Sequence, residues 1–241
     1  MPSEGAVMKD VLARSIDELS RGLEGFPWTD RDAYCDWLAQ TYYYVRHSTR
    51  LLAAAAARFA CDEGGDTLHH RFTQHMKEER KHELLALRDL RVLESGIDAY
   101  EERPATRMLY EPQYFKIEHE SPVAVLGYIL ALEGMSAARG KWVLEEARRA
   151  HPARSTTFLE VHAHDDEDHL RKGVAVVEGL PVAEAKLVAQ NLRQTTFAYN
   201  LMLAEVVRGA NADREARRSG AQRAAGTASR DKPFPGAAGP A

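Results

Sequence analysis

Apolar residues recur at three- and four-residue spacing along most of this chain, and the two-residue alternation of a half-buried strand is missing. Ala, Leu, Glu and Arg, all strong helix formers, dominate the periodic stretches. The pattern predicts a first helix over about 7–24, stopped by Gly25 and Pro27, and a second over about 30–62, capped by Thr29. Gly64 and Gly65 then interrupt the chain. A third helix covers about 66–95 and ends at Gly96. Residues 97–120 read as irregular, with room for a short helix in MLYEPQYFKI. Ser121-Pro122 starts a fourth helix running to about 149, with Ser as cap and Pro in the first turn. A fifth covers about 153–178 and a sixth about 182–209, separated by Gly179-Leu180-Pro181.

From Asn211 the pattern fades. Few large apolar residues remain among many Ala, Gly, Arg and Pro, so residues 211–241 are expected to form a disordered tail behind one helical domain of 1–210. Composition changes this picture little. Hydrophobic residues make up 44% and charged residues 28%, an ordinary globular composition with enough apolar residues for a sizeable core. The net charge of −4 lacks the basic footprint of a nucleic-acid binder. No signal-peptide h-region opens the chain, and no apolar run approaches ~18 residues, so no membrane partner is expected. Cys35 and Cys61 stand in no metal-like spacing and read as small buried hydrophobes of a reduced, cytoplasmic protein.

The chemistry lies in three places. His162, Asp166 and His169 stand at i, i+4 and i+7, one face of the fifth helix, where two imidazoles and a carboxylate form a metal half-site. The competing reading is an exposed acidic stretch, but the same face continues through Leu159 toward Val176, which points it inward. Glu79 and His82 form a Glu-x-x-His pair, the ligand device of di-iron helix bundles. The surrounding charge run could instead be a solvated face, and Glu78 could replace Glu79. Glu133 is the only charge in VAVLGYILALEGM and is costly to bury unless paired with Arg139, with another Arg, or with a metal. Three carboxylates against two divalent ions leave a buried site close to neutral. Mixed nitrogen and oxygen ligation suits iron or manganese better than structural zinc. Tyr42, Tyr43, Tyr44 and His47 are candidates for a pocket wall or for plain core, and Arg193 for a substrate carboxylate or a surface ion pair.

Over roughly residues 30–205 these motifs resemble the haem-oxygenase-like di-iron oxidases and oxygenases. The resemblance rests on Glu79-x-x-His82, on PVAVLGYILALEG around Glu133, on His162-x3-Asp166-x2-His169, and on the stretch PATRMLYEPQYFKIEHESPVAVLGY. It implies an all-α, haem-oxygenase-like bundle of about seven helices, the additional one lying in 103–118. It also implies that Glu79, His82, Glu133, His162, Asp166 and His169 ligate two Fe(II) ions that use O2 to oxidise a small molecule. Members of that family oxygenate amines, oxidise or cleave amino acids, or decarboxylate fatty acids, mostly in bacterial natural-product pathways. The expected function is therefore N-oxygenation of an amine, or oxidation or cleavage of an amino acid. Its alternatives are a fatty-acid oxidative decarboxylase on the same centre and a non-catalytic iron-binding bundle. The partners that go with it are a small-molecule substrate, room for an external electron donor, and a homodimer, since dimers are common in this superfold. Three histidines and three carboxylates make a poor haem pocket.

Overall fold

The computed structural model describes residues 4–228, and every element among them is helical. Helix α1 spans Glu4–Glu24, α2 Arg31–Val45, α3 Ser48–Ala56, α4 Glu63–Glu78, α5 Glu83–Val92, α6 Pro104–His119, α7 Leu126–Arg148, α8 Thr157–Glu178 and α9 Val182–Ala228. Short 3-10 turns at Ile97–Ala99, Pro122–Val125 and Ala153–Ser155 link them. Two rods are interrupted, α2–α3 at Arg46-His47 and α4–α5 at Glu79–His82. Taking each interrupted pair as one rod gives the seven expected.

Local chemistry explains where the boundaries differ from the pattern. Asp30, not Thr29, caps α2, its carboxylate accepting from the Asp32 and Ala33 amides. Gly64 and Gly65 do not break the chain. They sit in the first turn of α4 behind the Asp62 cap, and a Cβ on Gly65 would lie 2.0 Å from the Ala60 carbonyl. The segment expected to be irregular folds as α6, with Pro104 in its first turn. Helix α9 continues past 209, where Arg214 meets Asp30 and Arg217 meets Asp32. The tail expected over 211–241 is thus helical to Ala228, and the rest of it lies outside the described residues.

The core is built around α7, which packs against α8, α9 and α1. Glycine at 127 lets α7 approach the α9 backbone closely, since a Cβ there would lie 2.3 Å from the Val188 carbonyl. Residues Pro122–Arg148 are the one described segment long and apolar enough to cross a membrane, and 72% of that window is buried inside the bundle. This is the signature of a core helix. Cys35 is buried as expected, but Cys61 is exposed in the α3–α4 connection.

Candidate metal centre

Helix α8 is unbroken and presents His162, Asp166 and His169 from one face. Asp166 and His169 are buried and His162 is partly so. Glu133 faces them from α7, 6% exposed. The third wall is the end of α4 and the junction beyond it. The continuous helix expected over 66–95 stops at Glu78, Lys81 takes a left-handed conformation with φ 74°, and α5 begins at Glu83. An L-residue pays about 1–2 kcal/mol there, and no glycine is present to relieve it. Glu79 and His82 lie at this turn, and His75 one helical turn before it, all facing α7 and α8.

All six expected residues converge, and His75 joins them. His75, Glu133 and His169 place one ligand atom each within 4.8 Å of one another, and so do Glu79, His82 and His162. The Glu79 carboxylate lies between the two clusters, Oε1 3.7 Å from His75 Nε2 and Oε2 3.7 Å from His82 Nδ1. Asp166 Oδ1 is 3.6 Å from His169 Nδ1, as is Glu133 Oε1. His75 Nε2 is 2.9 Å from Glu133 Oε1, yet neither Glu133 oxygen accepts a hydrogen bond. His169 Nδ1 is likewise buried without a hydrogen-bond partner. These buried donor atoms are held together by ion pairs without hydrogen-bond geometry, an arrangement a cation among them would satisfy. The residues therefore fit a pair of metal ions. The salt bridge considered for Glu133 is not made, because Arg139 pairs with Glu24 at 2.7 Å.

Several ligand candidates are held in orientation from behind. His162 Nδ1 lies 2.8 Å from the Phe158 carbonyl, so Nδ1 carries the proton and Nε2 keeps its lone pair. The same ring stacks on Phe158 at 4.1 Å between centroids. His169 turns Nε2 to Glu78 Oε2 as an ion pair at 3.3 Å without hydrogen-bond geometry, and Nδ1 to the site. Glu78 thus stands behind a histidine, and Glu79 is the carboxylate inside.

The charges are strongly coupled. Burial opposes protonation of His75, but the Glu133 and Glu79 carboxylates outweigh it and push the imidazole up to about 9. Burial would raise Glu79, but the surrounding histidines, His75 first, hold it down at about 2. Burial raises Glu133 above the usual carboxylate range. Asp166 raises His169. A metal ion entering this site must displace imidazole protons.

A cavity of about 100 Å³ opens from the site. His75, Glu79, Glu133, His162 and Asp166 form one part of its wall, and the rest is apolar or aromatic, including Leu23, Trp28, Trp37 and Tyr199. Among the described residues no Lys or Arg lines it. Of Tyr42, Tyr43, Tyr44 and His47 only Tyr44 reaches this wall, while the Tyr43 hydroxyl donates to the Tyr100 carbonyl and His47 Nδ1 lies 2.9 Å from the Tyr114 hydroxyl. Arg193 lines a separate groove with Phe115 and Phe197, away from the site.

The fold is shared with solved proteins. A domain of unknown function with a haem-oxygenase-like fold from Shewanella denitrificans matches at 20% identity, covering 86% of this chain and 89% of the other, with a TM-score of 0.68. A TenA homologue from Pseudomonas syringae matches at 13% identity over 86% and 93%, TM-score 0.71. A CADD-like protein of unknown function from Nostoc punctiforme matches at 15% over 84% and 96%, TM-score 0.59. At such identities the likeness establishes the all-α, haem-oxygenase-like fold and nothing finer. No curated protein matches the chain. The model of a family described as iron-containing redox enzymes does match, over residues 35–202, a span that contains every residue of the two clusters, and the chain belongs to that family.

Proposed function

We propose that this protein is a non-haem di-iron, O2-dependent oxygenase or oxidase acting on a small metabolite. The observation that carries the reading is the Glu79 carboxylate, which offers one oxygen to each of two histidine-containing clusters. A carboxylate placed in this way would help hold two ions side by side. Glu133, Asp166 and His169 would hold one ion, and His82 and His162 the other, with Glu79 beside both. When bound, the iron pair supplies redox chemistry with dioxygen. The protein orients the imidazoles through Phe158 and Glu78 and excludes water with an apolar wall.

The cavity narrows the substrate. Its roughly 100 Å³ opens beyond the site, and its wall is largely apolar. A small molecule with an apolar body suits that wall. N-oxygenation of an amine, or oxidation or cleavage of an amino acid, is the preferred reaction. The apolar walls keep fatty-acid oxidation as the second reading.

The test is to load the protein with Fe(II) without oxygen, expose it to O2, and follow oxygen uptake with amines, amino acids and C10–C14 acids. Uptake driven by an amine or amino acid is expected. Uptake driven only by the long acids would move the assignment to the second reading. Iron binding with no substrate-dependent uptake would reduce the protein to an iron carrier.

A further inference from the structure

The chain carries one ligand spacing twice. His75-x3-Glu79-x2-His82 repeats the i, i+4, i+7 spacing of His162-x3-Asp166-x2-His169. The structure sets the two triplets against each other in opposite directions. The first histidine of one meets the last of the other, His75 with His169 and His82 with His162, each pair with ring centroids 5.0 Å apart. We infer that His75 is itself a metal ligand, so that each ion receives one imidazole from either triplet and both have two nitrogen donors.

Three observations bear on His75. It is 4% exposed, and its Nε2 lies 2.9 Å from Glu133 Oε1 and 3.7 Å from Glu79 Oε1. Glu133 meets His75 as an ion pair without hydrogen-bond geometry, and both groups present donor atoms to the same buried space. The nearby His169 Nδ1 also lacks a hydrogen-bond partner. With His75 the Glu133 cluster would offer two imidazole nitrogens, as His82 and His162 do in the other cluster.

The inference rests on the di-iron reading, and the experiment separates the two. Wild type, His75→Ala and His75→Gln are titrated with Fe(II) without oxygen, and separately with Co(II), whose visible spectrum reports the nitrogen donors. Glutamine keeps a hydrogen-bond donor beside Glu133 but offers no imidazole. Wild type should take up two ions. Both variants should keep one site and lose affinity at the other by ~100-fold or more, with an altered Co(II) spectrum. Two ions bound by His75→Gln at wild-type affinity, with an unchanged spectrum, would make His75 a mere hydrogen-bonding neighbour and overturn the inference while leaving the di-iron reading intact. Wild type that binds no iron would overturn both.

Discussion

Two helical rods in this molecule are interrupted, and they are interrupted differently. Between α2 and α3 the residues at the break, Arg46 and His47, both keep right-handed helical angles, φ −58° and φ −91°. The kink is held by packing: the His47 ring stacks on Tyr110 at 3.8 Å and its Nδ1 meets the Tyr114 hydroxyl. Between α4 and α5 the chain passes through left-handed Lys81, and the residues around it are charged groups facing a buried site. The first break is a packing solution. The second accepts a left-handed residue beside a buried charged site, and such strain gathers where geometry serves chemistry.

If that contrast is right, the largest effects should come from the second break. Glu79→Ala removes the carboxylate shared by both clusters, and His162→Ala removes one nitrogen from a single cluster. Elemental analysis after Fe(II) loading should find both irons weakened in Glu79→Ala and only one in His162→Ala, with substrate-dependent O2 uptake down at least ~100-fold in either. Equal retention of both irons in Glu79→Ala would show that the carboxylate does not join the clusters.

The contrast also explains what could be read from sequence. On α8 the helix is regular, so spacing alone put His162, Asp166 and His169 on one inward face. Glu133 was legible because a lone charge in an apolar run has few alternatives. His75 went unread although the repeated His-x3-acid-x2-His spacing was there to find, because it stands outside the Glu-x-x-His pair that the resemblance singled out. The break itself had no signal. Lys81 is neither Gly nor Asn, and neither Gly nor Pro stands between Glu79 and His82, so local propensity favoured a continuous helix. Interruption of the α2–α3 rod was equally silent, since His47 finds its partners on α6, more than sixty residues away.

The first break should announce itself through pH. Burial first, then the Arg46 and Arg50 charges, lower His47 to about 4. Its unfolded value is ~6.5, so the folded state binds the proton less readily. Stability from this group is then complete above ~6.5 and is lost as pH falls from there toward 4. Partial exposure reduces the effect to roughly 1–2 kcal/mol. Denaturant unfolding of metal-free protein at pH 7 and pH 4.5 should show a smaller pH-dependent loss in His47→Phe, which keeps the ring on Tyr110 but cannot titrate. An identical loss in both proteins would mean that this break carries no buried titration.

The smallest effect is the sharpest test of strain. Lys81→Gly replaces an L-residue at φ 74° with the one residue that adopts that angle freely. The gain of 1–2 kcal/mol from relieved crowding is offset by the greater freedom of glycine in the unfolded chain, leaving roughly 0.5–1 kcal/mol of net stabilisation. For a chain of this size that is a Tm increase of about 1–4 °C, with iron stoichiometry unchanged because Lys81 touches neither cluster. Glycine placed instead at Arg46, where the backbone is right-handed, should lower stability by a similar amount. Opposite signs at the two breaks would show that one is strained and the other is not; a destabilised Lys81→Gly would remove the distinction.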